Sequence, residues 1–410
     1  MPNYEVYVGI DWATRSHQVC ITDAGGQRLG ESTVAHSGTG LDEFVAELTR
    51  HGPDPTRIAV ALEVPRGAIV DTLLERGFHV FALNPKQLDR FRDRHTVAGA
   101  KDDRRDAWVL ADALRTDGAA FRRLDPEDPR LLQLRELSRV HDELVQEHSR
   151  LTNRLREQLW RFFPQALALC PAADEPWLWS LLEEAPTPAR AQRFTRAALR
   201  ALLARQRIRR FTGDALYTAL QERSLRVAPG TIEAASEHLA LLLPRVRLVH
   251  EQQRRCERRL DGLLAELATP ARQDDQQEHR DVTILRSLPG VGRVVAATML
   301  AEASRPLAAR DYQTLRAHAG VAPVTRQSGK GRFVAMRRSC NGRLRGALFH
   351  WARNSVRLDA HCRAHYARLR QRHGHARALR GVADRLLGVL VAMLTNRTLY
   401  DPARRHAAPA

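Results

Sequence analysis

Lysine is nearly missing from this chain: Lys86, Lys101 and Lys330 stand against 62 arginines in 410 residues. Positive charge is therefore carried by planar guanidinium groups, which suit bidentate contact with phosphate or carboxylate. The five cysteines, Cys20, Cys170, Cys256, Cys340 and Cys362, stand far apart and form no CxxC pair. That spacing argues against a disulfide framework and against a structural zinc site. The uncharged apolar run near the end, Leu386 to Asn396, is too short to span a bilayer. No basic, apolar, small-residue leader opens the chain, and the expected location is cytoplasmic.

What is present is charge, unevenly placed. Residues 1–120 carry 14 Lys and Arg against 18 Asp and Glu, whereas residues 287–410 carry 23 against 5. The net charge of +18 thus belongs to the last third, and a polyanion, most commonly nucleic acid, is its expected partner. The length allows two or three domains with their own cores.

The acidic first third opens on Val6, Val8 and Ile10 alternating with Tyr7, Gly9 and Asp11, a strand that ends in a carboxylate. Gln18 to Thr22 pairs with it as a hairpin, and Asp23-Ala24-Gly25-Gly26 turns into Gln27 to Val34, which makes a three-stranded meander. Thr39 to His51 has helical spacing. Arg57 to Val64 holds a continuous apolar run, Ile58 to Leu62, ending in the carboxylate of Glu63, as in a strand covered on both faces. Helix 68–76, strand 78–83 and a helix from Asn84-Pro85 follow, so the order is that of a mixed α/β domain. A further helix opens at Lys101-Asp102-Asp103-Arg104-Arg105-Asp106-Ala107, where Asp103 and Asp106 share one face and Asp102 points elsewhere. A lone strand-end aspartate ordinarily caps a turn, and an acidic first turn ordinarily serves the helix dipole. Together, Asp11, Glu63, Asp103 and Asp106 make a set suited to two divalent ions about 4 Å apart on a phosphodiester.

Arg130 to Phe163 and Thr231 to Leu267 predict a long helical hairpin or coiled coil for self-association, with helical insertions between them and His141 and His148 at possible seam positions. Leu288-Pro289-Gly290-Val291-Gly292-Arg293 predicts a helix-hairpin-helix, with amide hydrogens near Gly290, Gly292 and Arg293 offered to phosphate. Gly320 to Arg332 is glycine-rich and basic around Ser328, with Arg326, Lys330 and Arg332 beside it and Arg337 and Arg338 extending the stretch. On composition these residues fit a solvated loop that grips phosphate better than a nucleophilic serine.

Taken together, Gly9-Ile10-Asp11, Glu63, Lys101 with Asp103-x-x-Asp106-Ala107, Leu288 to Gly292, and Gly320 to Gly329 with Pro323 and Ser328-Gly329 are diagnostic. The chain resembles the bridge-RNA-guided insertion-sequence transposases, serine recombinases with a RuvC-like DEDD domain and a carboxy-terminal transposase domain. The resemblance implies an α/β RNase H/RuvC-like domain over 1–122, a helical coiled-coil oligomerisation region over 123–280, and a mainly α transposase domain over 281–410. It further implies that Asp11, Glu63, Asp103 and Asp106 bind Mg2+ and that Ser328 forms a transient phosphoserine link to DNA. Asp102 stands where the family has a small polar residue, so Asp102 or Asp103 could be the ligand, and helical spacing favours Asp103. Donor and target DNA, a noncoding guide RNA, and a dimer assembling into a tetramer are the implied partners, with one subunit's acids meeting another's Ser328.

Three other functions compete. A junction-resolving nuclease would use the four acids without Ser328. A sugar-kinase-like enzyme would need a second phosphate loop and no basic third, and a nucleic-acid scaffold would tolerate amides in place of all four acids.

Overall fold

A computed structural model of the chain describes residues 4–95, 102–126, 128–269, 280–329 and 331–403. Lys101 and Lys330, expected beside the two motifs, lie outside the described residues. The chain divides into two compact units, residues 1–128 and 129–410.

In the first unit the alternating pattern at the amino terminus becomes β1 (Val6–Asp11), followed by β2 (Ser16–Asp23) and β3 (Arg28–Ala35). These form the expected antiparallel meander, with Gly9 opposite Cys20 and Asp11 opposite Gln18. Helix α1 (Gly38–His51) is capped by Ser37, whose hydroxyl accepts from the Gly40 amide at 3.1 Å. The apolar run becomes β4 (Ile58–Leu62), buried at every position and parallel to β1, with Ile10 opposite Leu62. Then come α2 (Ala68–Glu75), β5 (His79–Ala82), α3 (Pro85–His95), α4 (Asp103–Asp117) and a short β6 (Arg122–Leu124). The sheet order is β3-β2-β1-β4-β5-β6, with β5 parallel to β4 and β6 antiparallel to β5. Strand β6 was not foreseen: Arg122-Arg123-Leu124 has one buried side chain and no alternation long enough to signal a strand.

Alternation along the strands sorts the side chains into two layers. Val8, Ile10, Val60, Leu62 and Val80 pack with Leu41, Phe44 and Leu48 of α1 and Ile69, Val70 and Leu73 of α2. Ala59, Ala61 and Phe81 face the other way, against Val109, Leu110, Ala113 and Leu114 of α4 and Leu88 of α3. Gly9 lies on that second face, and α4 rests directly on it. A Cβ built at Gly9 would come within 1.9 Å of the Ala107 carbonyl oxygen and 2.6 Å of the Ala111 amide nitrogen.

The second unit opens with α5 (Pro129–Phe162). After the short helices α6 (Pro176–Glu184), α7 (Pro188–Ala191), α8 (Arg196–Arg205) and α9 (Gly213–Leu220), the chain returns in α10 (Thr231–Ala268), which runs through Pro244. Arg259 reaches Gln133, Cys256 the Leu137 carbonyl, and His250 stacks near His148, so α5 and α10 run antiparallel. The short helices pack on this pair around Trp177, Trp179, Phe162 and Leu243. The rest comprises α11 (Asp281–Ser287), α12 (Arg293–Glu302), α13 (Ser304–Ala308), α14 (Tyr312–His318), the hairpin β7 (Val324–Ser328) and β8 (Gly331–Ala335), then α15 (Gly342–Leu358), α16 (Ala360–Arg370) and α17 (His375–Thr395). Their core, centred on Trp351, Leu386 and Leu390, also takes in Leu134 of α5 and Leu260 and Leu263 of α10. Among the described residues no helix is long and apolar enough to cross a membrane.

Of the seam histidines, His141 is buried and His148 half-buried. His141 is 4% exposed, with Nε2 3.6 Å from a Glu257 oxygen. His148 and His250 have ring centroids 5.6 Å apart, and each lies against Trp179. Burial and then the His250 charge hold the pKa of His148 below the ordinary value, while burial and then Arg254 do the same for His250.

Two expectations follow. Gly9→Ala should cost about 3 kcal/mol, because helix backbone cannot yield as a side chain can. By contrast Gly262→Ala, in mid-helix with open space around it, should gain about 0.5–1 kcal/mol, and denaturant melts of both variants compare them directly. For the histidines, a neutral folded form stabilises the protein above the unfolded-state pKa of about 6.5, and this contribution is lost as pH falls through the lower folded value. Between pH 7.5 and pH 5 the wild-type melting temperature should fall more steeply than that of a His148→Gln/His250→Gln double variant.

Candidate metal centre and nucleic-acid interface

Parallel pairing of β1 with β4 carries the last matched pair to Ile10 and Leu62, so Asp11 and Glu63 each stand one residue beyond it. They emerge at the same carboxyl edge, from neighbouring strands about 4.8 Å apart. Asp11 lies on the face of Gly9, and Glu63 on the face of Ala59 and Ala61, which is the face that α4 covers. Both are half-buried.

Helix α4 begins where the sequence places its acids. Asp102 is the N-cap, with extended backbone and a carboxylate that accepts from the Arg104 amide at 3.2 Å. Its role is therefore filled locally. Asp103 is exposed in the first turn, and Asp106, on the same face, is only 1% exposed. A buried carboxylate needs a partner, and the partner is Arg92 of α3. Its Nε and Nη2 donate to the two Asp106 oxygens at 2.5 and 2.6 Å, while Nη1 donates to Asp89 at 2.7 Å. Burial acts to lower the Arg92 pKa. Hydrogen bonding and the charges of Asp106, Asp89 and Glu63 outweigh it, and the net shift is upward. Glu63 is thus within electrostatic reach of the group that holds Asp106. Sequence reasoning missed Arg92, which reads there as one of several cations on an amphipathic helix (Arg90, Arg92, Arg94).

Four carboxylates form the hard oxygen donor set that Mg2+ or Mn2+ prefers. As they stand, they do not close on a common point. The described residues whose potential ligand atoms come within 4.8 Å of one another in a set of three are Cys170, Asp174 and Glu175. That trio is otherwise engaged: Arg210 donates to both Glu175 oxygens at 2.6 and 2.7 Å, and burial pushes the Cys170 thiol up to about 11, so it stays protonated. The donor chemistry of the acid rim fits a divalent cation, with Arg92 on one of its four carboxylates.

In the second unit, α11 and α12 meet at the Leu288 to Gly292 turn. Gly290 has φ of +81°, and a Cβ there would lie 2.8 Å from the Ser355 amide. Pro289 accepts from Trp351 Nε1 at 3.0 Å and from the Ser355 hydroxyl at 2.6 Å. The first glycine thus lets α15 approach, whereas Gly292, the N-cap of α12, is exposed with nothing nearby. Arg293 pairs with Glu257 at 3.2 Å and Asp261 at 3.1 Å, ligands supplied by α10.

The glycine-rich stretch around Ser328, expected as a loop, is an antiparallel hairpin with Ser328 opposite Gly331 and Arg326 opposite Phe333. Alternation is weak there, and glycines at 329 and 331 mask the strand signal. Gly329 takes φ of +55° in the turn, as a tight connection requires. Arg332 and Arg338 are exposed, Arg337 is half-buried, and Phe333, Val334 and Met336 are exposed to 65%, 52% and 46%. An apolar and cationic hairpin surface of this kind suits stacking and phosphate contact on nucleic acid.

An α/β unit with acids at one sheet edge, joined to a basic helical unit, is the build of an enzyme acting on DNA. Residues 8–164 match the DEDD transposase family of IS110, and residues 282–367 match the transposase family of IS116, IS110 and IS902. "Mini-circle putative transposase for IS117" from Streptomyces coelicolor is 36% identical over 98% of this chain and 97% of its own length. "Putative transposase y4uE" from Sinorhizobium fredii is 52% identical over 50% of this chain, which spans 58% of that protein's length. The IS116 uncharacterized 44.8 kDa protein from Streptomyces clavuligerus is 26% identical over 97% of the chain. The chain belongs to the IS110 family of insertion-sequence transposases. Enzymes of this DEDD type generally depend on a divalent metal.

Removing one member of a buried ion pair strands the other. Asp106→Ala should therefore cost about 3 kcal/mol of stability by denaturant titration, while Asp103→Asn, at an exposed position, should leave the melting temperature nearly unchanged.

Proposed function

We propose that this transposase cuts and rejoins DNA through a phosphoserine link formed by Ser328, assisted by Mg2+ at Asp11, Glu63, Asp103 and Asp106, with a noncoding RNA choosing donor and target. The observation that carries it is the convergence of Asp11 and Glu63 at one sheet edge, on the face covered by the helix bearing Asp103 and Asp106. A RuvC-like domain is the natural home for such an edge. A bound divalent ion would neutralise phosphate charge and assist loss of a proton from the attacking hydroxyl.

The chain's own groups divide the remaining work. The Ser328 hydroxyl forms a bond to phosphorus while one ester bond of the DNA backbone breaks, and the proton it gives up leaves with the departing strand's hydroxyl. Rejoining runs the exchange in reverse with a new strand end. Arg326, Lys330, Arg332, Arg337 and Arg338 hold backbone phosphates, and the turn at Gly290, Gly292 and Arg293 adds a further contact. These residues fix register and carry no base sequence, so selection by base pairing to RNA fits a unit whose contacts are cationic and general.

Self-association is favoured by Leu241 and Leu248, seven residues apart on α10 and exposed to 71% and 55%. That spacing is the seam of a helix awaiting a partner. A homodimer or larger assembly would let the acids of one copy serve Ser328 of another.

Purified protein with its co-purifying RNA, magnesium and DNA carrying the element's end should yield a protein–DNA adduct that survives denaturing gels. Ser328→Ala should abolish both adduct and cleavage. Glu63→Gln should lower cleavage by about 10^3-fold or more while DNA retention persists. Cleavage that persists in Ser328→Ala would instead establish a RuvC-type junction nuclease.

A further inference from the structure

The acid rim holds a cation already, and it is a side chain. Arg92 makes two parallel hydrogen bonds to Asp106, at 2.5 and 2.6 Å, with Asp106 1% exposed and Arg92 23% exposed. Its third contact, to Asp89 one turn back at 2.7 Å, is with a carboxylate 66% exposed. One guanidinium therefore bridges a buried acid and a solvated one.

We infer that Arg92 is a displaceable internal counter-ion: it occupies Asp106 until a divalent cation takes that carboxylate, and then turns outward to Asp89. The inference rests on the metal reading of the four acids. Three observations support it. An unpaired carboxylate as buried as Asp106 would destabilise the metal-free fold, so some cation must stand there before the ion arrives. Arg92 already donates to both Asp106 oxygens, so a divalent ion on the same carboxylate meets a like charge at contact distance, and Glu63, a second acid of the set, also lies within the field of Arg92. Finally, the exchange needs no movement of α3. Leu88 is fully buried, Phe91 stacks on Phe121 at 6.3 Å, and Arg94 is tied to Asp117 at 2.6 Å. Helix α3 stays anchored, then, while the Arg92 side chain changes rotamer toward a partner it already touches.

The consequence is a threshold on metal occupancy. An ion that binds at Asp106 must displace a charge-assisted bidentate pair, so affinity is lower than four carboxylates alone would give. Binding of Mn2+ to the full-length protein, followed by electron paramagnetic resonance of the free ion, tests this without reference to activity. Arg92→Gln should bind Mn2+ about tenfold more tightly than wild type, melt at a lower temperature without metal, and gain more melting temperature on adding Mn2+. Arg92→Lys keeps the charge but loses the fork, so it should fold like wild type and bind with intermediate affinity. Asp106→Asn should weaken binding in the wild-type background. Wild-type or weaker Mn2+ affinity in both Arg92 variants would overturn the counter-ion role while leaving the metal site standing. Absence of Mn2+ binding in wild type and variants alike would remove the metal reading itself, and the inference with it.

Discussion

Between Gly9 and Ala107 there is no room for a side chain. Helix and sheet meet here backbone on backbone, because the residue beneath has no Cβ. Several consequences follow from that one contact. It sets the height of α4 above β1, and strand alternation then puts Asp11 under the same helix. Parallel register brings Glu63 to the same edge, and helical spacing fixes Asp103 and Asp106 on one face. No acid is placed by a flexible loop of its own. Each is an end of a regular element, the way to hold charged groups close while the rigid core beneath supplies the stability.

Charge repulsion is the counterweight. Carboxylates gathered at one edge destabilise one another unless a cation intervenes, and Arg92 supplies it for the most buried. The remaining acids are half-buried or exposed, where solvent screens them. The local order therefore tracks burial: Asp106 has a bidentate partner, while Asp103 stands exposed in the first turn of a helix, where the dipole favours an acidic side chain.

Strands β1 to β5, the acids at the ends of elements and the long antiparallel helices were legible because each depends on periodicity or on a terminating residue. Gly9-Ile10-Asp11 announces a strand end, and Asp102 followed by Asp103 and Asp106 announces a capped helix. The hairpin at 324–335 was not legible, since glycines that permit its turn also erase the alternation a strand shows. Nor was Arg92. Pairing between α3 and α4 depends on how two helices lie side by side, and one arginine among 62 carries no mark of it. At Gly290 the sequence shows the need for a residue without a Cβ but not what comes close there, which is Ser355 of α15.

A correction applies to the basic third as a whole. Arginine excess suggests a surface devoted to polyanion, yet many of these side chains are internal fasteners. Arg316 clamps Asp384 at 2.5 and 2.9 Å, Arg310 clamps Asp281 at 2.6 and 2.7 Å, and Arg343 spans Asp142 and Glu302 at 3.0 and 3.2 Å. Asp311 and Asp359 are taken by helix caps. Four of the five acids of residues 287–410, Glu302, Asp311, Asp359 and Asp384, are thus committed within the fold, and they can balance only a few of the 23 cations there. What is left over is exposed at the hairpin, on Arg332 and beyond it Arg338, beside Phe333, and along α15 to α17, on Arg345, Arg353, Arg363, Arg370 and Arg377 among others. The charge that can meet a phosphate is thus what the fold leaves exposed, on the hairpin and on the last three helices, while Arg310, Arg316 and Arg343 hold the helices together.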